Sequence, residues 1–147
     1  VADDAEIRAL SDRYAAAVDG RDVDGLLAVF APDATLFRPP GDDGAPGFEV
    51  VGHDALRGVI QQLARDYLST SHVLGERRYE VDGRAARGEV VCTAHHLRDG
   101  VAGEVIDRVL HIRYVDTYDG AGGTWRISRR ELHVDRTDEL PVGQAEA

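Results

Sequence analysis

Residues 85–98 read Ala85-Ala-Arg-Gly-Glu-Val-Val-Cys-Thr-Ala-His-His-Leu-Arg98, and the alternation inside this stretch decides between helix and strand. One parity collects Ala86, Gly88, Val90, Cys92, Ala94 and His96, with no formal charge. The other collects Arg87, Glu89, Val91, Thr93, His95 and Leu97, with both signs. Successive side chains of a strand point to opposite faces, so the pattern predicts a strand whose uncharged set meets a core. His96 then points inward at the end of a lane of small side chains, which leaves room for a ligand. A core histidine bonded to a backbone carbonyl is the plainer alternative.

Working outward, strand texture recurs near 72–81, 104–118 and 124–135, broken at Asp82-Gly83, Asp99-Gly100 and Asp119–Gly123. Upstream the period changes. Ile7, Leu10, Tyr14 and Val18 form one helical stripe, with Asp3 and Glu6 as a capping box and Asp19-Gly20 as the stop. A second helix is predicted from Asp22 as N-cap to Phe30, ended by Ala31-Pro32, with a strand at 34–37. Residues 39–47 compose a loop suited to a mouth or lid, or simply to an exposed connection. A third helix is predicted over His53–Tyr67 through Leu56, Ile60, Leu63 and Tyr67. Helices followed by antiparallel strands imply an α+β fold in which a curved sheet wraps the helices, forming one domain over 1–140 with a polar tail at 141–147.

The 147 residues are 43% hydrophobic and 30% charged, which suits one globular domain and excludes a disordered chain. No apolar run approaches the ~20 residues of a membrane span, and Val1-Ala-Asp-Asp4 carries no basic-then-apolar signal pattern. A cytoplasmic location without a membrane partner is the expectation. Cys92 is alone, so neither an internal disulfide nor a cysteine zinc site can form within one chain. The net charge of −10 argues against a nucleic-acid partner and leaves a small molecule.

Two further residues are ambiguous on pattern alone. At about 100° per residue, Asp19 falls roughly 120° from the centre of the first helix's stripe, at the edge of the buried face. An exposed turn aspartate fits as well. His72, in Ser69-Thr-Ser-His-Val-Leu74, opens a strand with undecided parity. His95 and His96 are adjacent on a strand and point apart, and no His-x-x-x-His spacing occurs, so no metal is expected. Cys92, between Val90 and Ala94, reads as a small core residue.

Several stretches resemble one family across the chain from Ile7 to about Val134: Arg13-Tyr-Ala-Ala-Ala-Val-Asp-Gly-Arg-Asp22, Val29-Phe-Ala-Pro-Asp-Ala34, Gly52, Thr70-Ser-His72, Arg113-Tyr-Val-Asp116 and Gly123-Thr-Trp-Arg-Ile-Ser128. Together they are similar to the SnoaL-like branch of the nuclear transport factor 2-like superfamily, which includes relatives of scytalone dehydratase and hexachlorocyclohexane dehydrochlorinase. The resemblance implies a cone of three N-terminal helices packed in a strongly curved mixed sheet. It implies Asp19 and His72 as a catalytic pair, with His96, Tyr14 and Arg130 contacting substrate. Arg129 and Arg130 face opposite sides of a strand, so a bulge decides between them. Tyr14 is either a hydroxyl donor or a core residue. Val18 stands where the dehydratase has a tyrosine.

A neutral imidazole removes protons near pH 7, and a carboxylate on its other nitrogen fixes the tautomer. The resemblance thus implies a lyase or isomerase that abstracts a carbon-bound proton from a small hydrophobic, polyketide-like metabolite, with no cofactor. Asp107-Arg108 and Arg113 with Asp116 admit an epoxide hydrolase, although ion pairs on a solvated face explain them better. A non-catalytic binding module is the third reading. The resemblance also implies a homodimer or homotrimer, joined through the outer sheet face at Val91, Val105, Val109 and Val115.

Overall fold

Helix α1 (Ala2–Asp19) buries Ile7, Leu10, Tyr14 and Val18, the stripe that its spacing predicts. Its first turn departs from the capping-box expectation. Asp3 Oδ1 accepts from the Trp125 indole at 3.1 Å, and Glu6 Oε1 accepts from the Trp125 amide at 3.1 Å. The two carboxylates bind the start of the last strand to α1, so their job is tertiary. The chain leaves α1 through Gly20 and Arg21, whose φ of 56° lies in the left-handed region. The structure, a computed structural model, describes residues 2–41 and 44–143.

Asp22 caps α2 (Val23–Val29), accepting from the Gly25 amide at 3.0 Å. The predicted stop at Pro32 is corrected: α2 ends at Val29, and Pro32 lies inside strand β1 (Phe30–Arg38). β1 pairs in parallel with the last strand, and the register shifts between Phe30 and Thr35, where proline cannot donate to a ladder. A short edge strand, β2 (Phe48–Val51), goes unsignalled because four residues carry too little alternation. Of the 39–47 loop, Asp42 and Asp43 lie outside the described residues. Helix α3 (His53–Asp66) follows Gly52 and buries Leu56 and Ile60.

Strands β3 (Ser69–Asp82), β4 (Ala85–Asp99), β5 (Val105–Asp119) and β6 (Arg126–Pro141) follow, all antiparallel neighbours. β6 thus runs well beyond its predicted end near 135, and residues 144–147 of the predicted tail lie outside the described residues. The order β2-β1-β6-β5-β4-β3 makes one mixed, curved sheet around the three helices, in the expected α+β cone. Register shifts at Leu74/Arg77, His111/Ile112 and Thr117/Tyr118 interrupt the long ladders, and bulges of this kind add bend and twist. The core joins α1 and α2 to the inner sheet face at Val90, Cys92, Ala94, Ile112 and Ile127. No helix among the described residues is long and apolar enough to cross a membrane.

The outer sheet face leaves Val91 40% and Val115 36% exposed, while Val109 is buried by its neighbours. It also carries the Arg113–Asp135 and His95–Asp107 pairs at 2.9 and 2.7 Å. The Arg113 pair bears out the solvated-face reading, whereas Asp107 is half-buried beneath His95. That reading does not extend to Asp116 or Arg108, which face inward.

Candidate active site

The end of α1 meets the start of β3. Asp19 Oδ1 accepts from His72 Nδ1 at 2.6 Å and from the Thr70 hydroxyl at 3.0 Å. Its Oδ2 accepts from the His72 backbone amide at 2.7 Å. A carboxylate only accepts, so Nδ1 of a neutral His72 carries the proton and Nε2 carries the lone pair. Asp19 is therefore held on both oxygens and is not an exposed turn residue, although 27% of its side chain stays exposed against 5% for His72. Burial pushes the Asp19 carboxyl up, but the bonds from His72 and Thr70 outweigh it and hold the group below its usual range.

The register explains why the imidazole fits. His72 lies across from Ala94, and Thr70 across from His96, on the inner face of β3 and β4. A methyl group opposite His72 leaves its ring space to project. The His72 and His96 rings sit 5.6 Å apart, and Tyr67 lies 4.6 Å from His96. Both nitrogens of His96 are buried without a partner. Burial, aided by the neighbouring Arg108 and Arg21 cations and by the competing His72 imidazole, pushes His96 down to about 4. His96 is therefore a neutral imidazole at pH 7, able to donate one hydrogen bond but not to act as a ready acid.

These rings open onto a cavity of about 320 Å³. Tyr14, His72, His96 and Tyr114 are among its polar lining, with Gln62 and Asp66 contributed by α3, and Leu36, Phe48, Val50, Val59, Leu110 and Ile112 supply apolar walls. Tyr14 is both a core residue and a cavity residue. Its ring stands edge-on to His72 at 6.3 Å and to Tyr114 at 5.6 Å. Burial raises the Tyr14 pKa, with partial relief from the Arg130 charge, so the phenol stays protonated.

Arg130 points inward, and the bulge at Ser128 is the reason. Tyr118 pairs with Ile127 but Thr117 pairs with Arg129, so Ile127 and Arg130 both face the core. The Arg130 guanidinium does not line the cavity. It is fully buried between Tyr14 and Tyr114, 4.4 and 4.0 Å from their ring centres. Arg130 bonds Asp116 at 2.8 and 2.7 Å and Ser11 at 2.9 Å. Direct contact with a ligand, which the resemblance implies for Arg130, is replaced by support of two tyrosines that touch the cavity. Asp116 is likewise moved from the solvated face to the core, where Tyr118 donates to it at 2.7 Å.

Three cavity residues escape the sequence reading. Tyr67 leaves the predicted helix, because α3 ends at Asp66 and Tyr67 adopts an extended backbone that turns its ring onto His96. Arg108 pairs across β4–β5 with His96 and donates to the Tyr67 hydroxyl at 3.0 Å. Arg38 follows Ala34 and Leu36 on the inward parity of β1. The solvated-face reading of Arg108 is thereby corrected, because it shares the inward parity of Leu110 and Ile112. The acid–arginine grouping of an epoxide hydrolase is not assembled, since Asp107 pairs with His95 outside and both Asp116 oxygens are engaged inside. Among the described residues no group of three or more His, Cys, Asp and Glu could hold a metal ion.

The family model for the SnoaL-like domain matches residues 1–131. The chain belongs to the SnoaL-like family. An uncharacterized protein of Mycobacterium tuberculosis (strain ATCC 25618 / H37Rv) is 29% identical over 132 residues, covering 88% of this chain and 84% of the relative. Among solved SnoaL-like folds, a protein of Novosphingobium aromaticivorans provisionally named a scytalone dehydratase is 23% identical, with a TM-score of 0.78. That match covers 99% of this chain and 96% of the other. A hexachlorocyclohexane dehydrochlorinase of Novosphingobium barchaimii is 18% identical with a TM-score of 0.76, covering 95% and 90% of the two chains. These structural likenesses establish the SnoaL-like fold; the chemistry rests on the geometry above.

Proposed function

We propose that this SnoaL-like protein is a cofactor-independent lyase or isomerase that begins by taking a proton from carbon. The observation that carries the reading is the 2.6 Å contact between Asp19 and His72 Nδ1, which leaves Nε2 for the cavity that His72 lines. Nε2 takes the proton, and the C–H electron pair becomes a new double bond as a neighbouring bond to a leaving group breaks. In an isomerisation the pair instead delocalises into a carbonyl and the proton returns to another carbon. Asp19 stabilises the positive charge that forms on the ring.

His96 supports the second half of the chemistry. Its two unpartnered nitrogens need a polar group from the ligand, and a neutral imidazole donor suits an enolate oxygen or a departing oxygen. Tyr14 offers a protonated hydroxyl on the same cavity. The apolar walls fit a small hydrophobic metabolite, in keeping with the dehydratase and dehydrochlorinase names of the structural neighbours. Assembly as a homodimer or homotrimer through the exposed valines of the outer sheet face belongs to the same proposal.

The test is a carbon-acid exchange screen in deuterium oxide with small aromatic ketones and β-hydroxy ketones. Wild-type protein should exchange or eliminate a subset, and Asp19→Asn and His72→Ala should lose that activity while still binding. Activity unchanged in both variants contradicts the proposed base, and binding without any exchange in the wild-type protein leaves a passive binding module.

A further inference from the structure

We infer that the substrate of this site carries a carboxylate, held by Arg108 with Arg38 at the end of the cavity away from Asp19. The inference rests on the proposed proton-abstracting site and names its substrate class. Both arginines line the main cavity and also a second cavity of about 360 Å³ that adjoins it. They therefore belong to the walls of both spaces. Both are partly buried. Among the described residues, neither has a carboxylate partner.

None of the nearby acids bonds either arginine. Glu139, across from Arg108 in the β5–β6 register, bonds Arg98 at 2.9 Å. Asp135 bonds Arg113 at 2.9 Å, and Asp66, an exposed residue of α3 that also lines the main cavity, accepts from the Gln62 amide at 2.8 Å. Arg136, the third arginine at the second cavity, is paired with Asp138 at 3.1 Å. A partly desolvated guanidinium without a counter-ion is costly, and its planar fork matches a carboxylate.

The position relative to the chemistry is fixed by contacts. Arg108 donates to Tyr67, Tyr67 lies against His96, and His96 lies beside His72. A carboxylate on Arg108 thus places the apolar body of the molecule along Leu110 and Ile112, with its reactive carbon toward His72.

The probes are 2-naphthoate and its uncharged isostere 2-naphthamide, titrated by calorimetry and by shifts of the His72 and His96 resonances. Naphthoate should bind about tenfold or more tightly than the amide at low salt, with the advantage shrinking as salt rises. Arg108→Gln should remove most of that advantage without weakening the amide, and Arg108→Lys should restore part of it, which separates charge from misfolding. Equal binding of the two probes, binding of neither, or an advantage unchanged in Arg108→Gln and in Arg38→Gln/Arg108→Gln overturns the inference. Asp19→Asn keeps the carboxylate preference. Its loss of carbon-acid exchange therefore reports on the proton-abstracting reading separately.

Discussion

Asp19 grips His72 twice, through the ring Nδ1 at 2.6 Å and through the backbone amide at 2.7 Å. The second bond matters as much as the first. It ties the end of α1 to the start of strand β3, so the carboxylate cannot swing away without breaking a contact to the backbone. The acid and the imidazole are thereby prepositioned before any ligand arrives.

Asp19→Asn should lower turnover roughly 10²- to 10⁴-fold while leaving ligand affinity nearly intact. The asparagine amide can donate to Nδ1, which moves the ring proton to Nε2 and removes the lone pair from the cavity. Steady-state kinetics beside a binding titration checks this. A loss confined to affinity contradicts it.

Stability should fall between pH 7 and pH 4 through His96. Its folded value of about 4 lies below the ordinary histidine value, so the unfolded chain takes up this proton first as pH drops. The contribution is complete above the ordinary value and is lost as pH falls toward 4, amounting to ~3 kcal/mol at most. Asp19, also lowered, adds a loss at still more acid pH, below the usual carboxylate range. Urea unfolding at pH 7.5, 5.5 and 4.5 should show a shallower decline in His96→Phe than in wild type.

Breaking the Arg130–Asp116 pair from one side should cost about 3–5 kcal/mol, because a fully buried charge is left behind. Asp116→Asn and Arg130→Met each test this. The double variant Arg130→Met/Asp116→Leu should recover part of the loss. Arg130→Lys should not restore activity fully, since an ammonium cannot lie flat between Tyr14 and Tyr114 while holding both Asp116 oxygens.

Gly88→Ala should destabilise by about 1–3 kcal/mol. An added Cβ there would meet the Tyr79 ring at 2.6 Å, the Arg78 carbonyl at 3.0 Å and the Tyr118 ring at 3.0 Å. Two aromatic residues and a strand backbone cannot all retreat. Thermal unfolding measures the cost, with exposed Gly122→Ala, where nothing lies within 4 Å, as the control.

The fold was legible where periodicity was long. The parity of 85–98 places Val90, Cys92, Ala94 and His96 inside, as found, because a fourteen-residue alternation leaves one consistent register. Features set by tertiary contact were not legible. Helical counting left Asp19 at the edge of a face, and only the arrival of His72 and Thr70 makes it half-buried and paired. Pro32 looked like a helix stop because the register shift that admits it into β1 depends on a strand about a hundred residues later. Asp3 and Glu6 had capping spacing, yet the Trp125 amide and indole take both. Asp116 resembled a surface charge until the Ser128 bulge turned Arg130 toward it. Arg108 reads with Asp107 as part of a solvated ion-pair face, and its partner Tyr67 lies beyond the end of α3, where helical spacing no longer predicts direction.

The proton on His72 is the most direct test of the proposed base. Long-range nitrogen-15 correlation spectra of the ligand-free protein at pH 8 assign the ring tautomer without any substrate. The account predicts the proton on Nδ1, with Nε2 unprotonated, and a change of that state in Asp19→Asn. A proton on Nε2 in the wild-type protein, or a tautomer indifferent to Asp19, would contradict it.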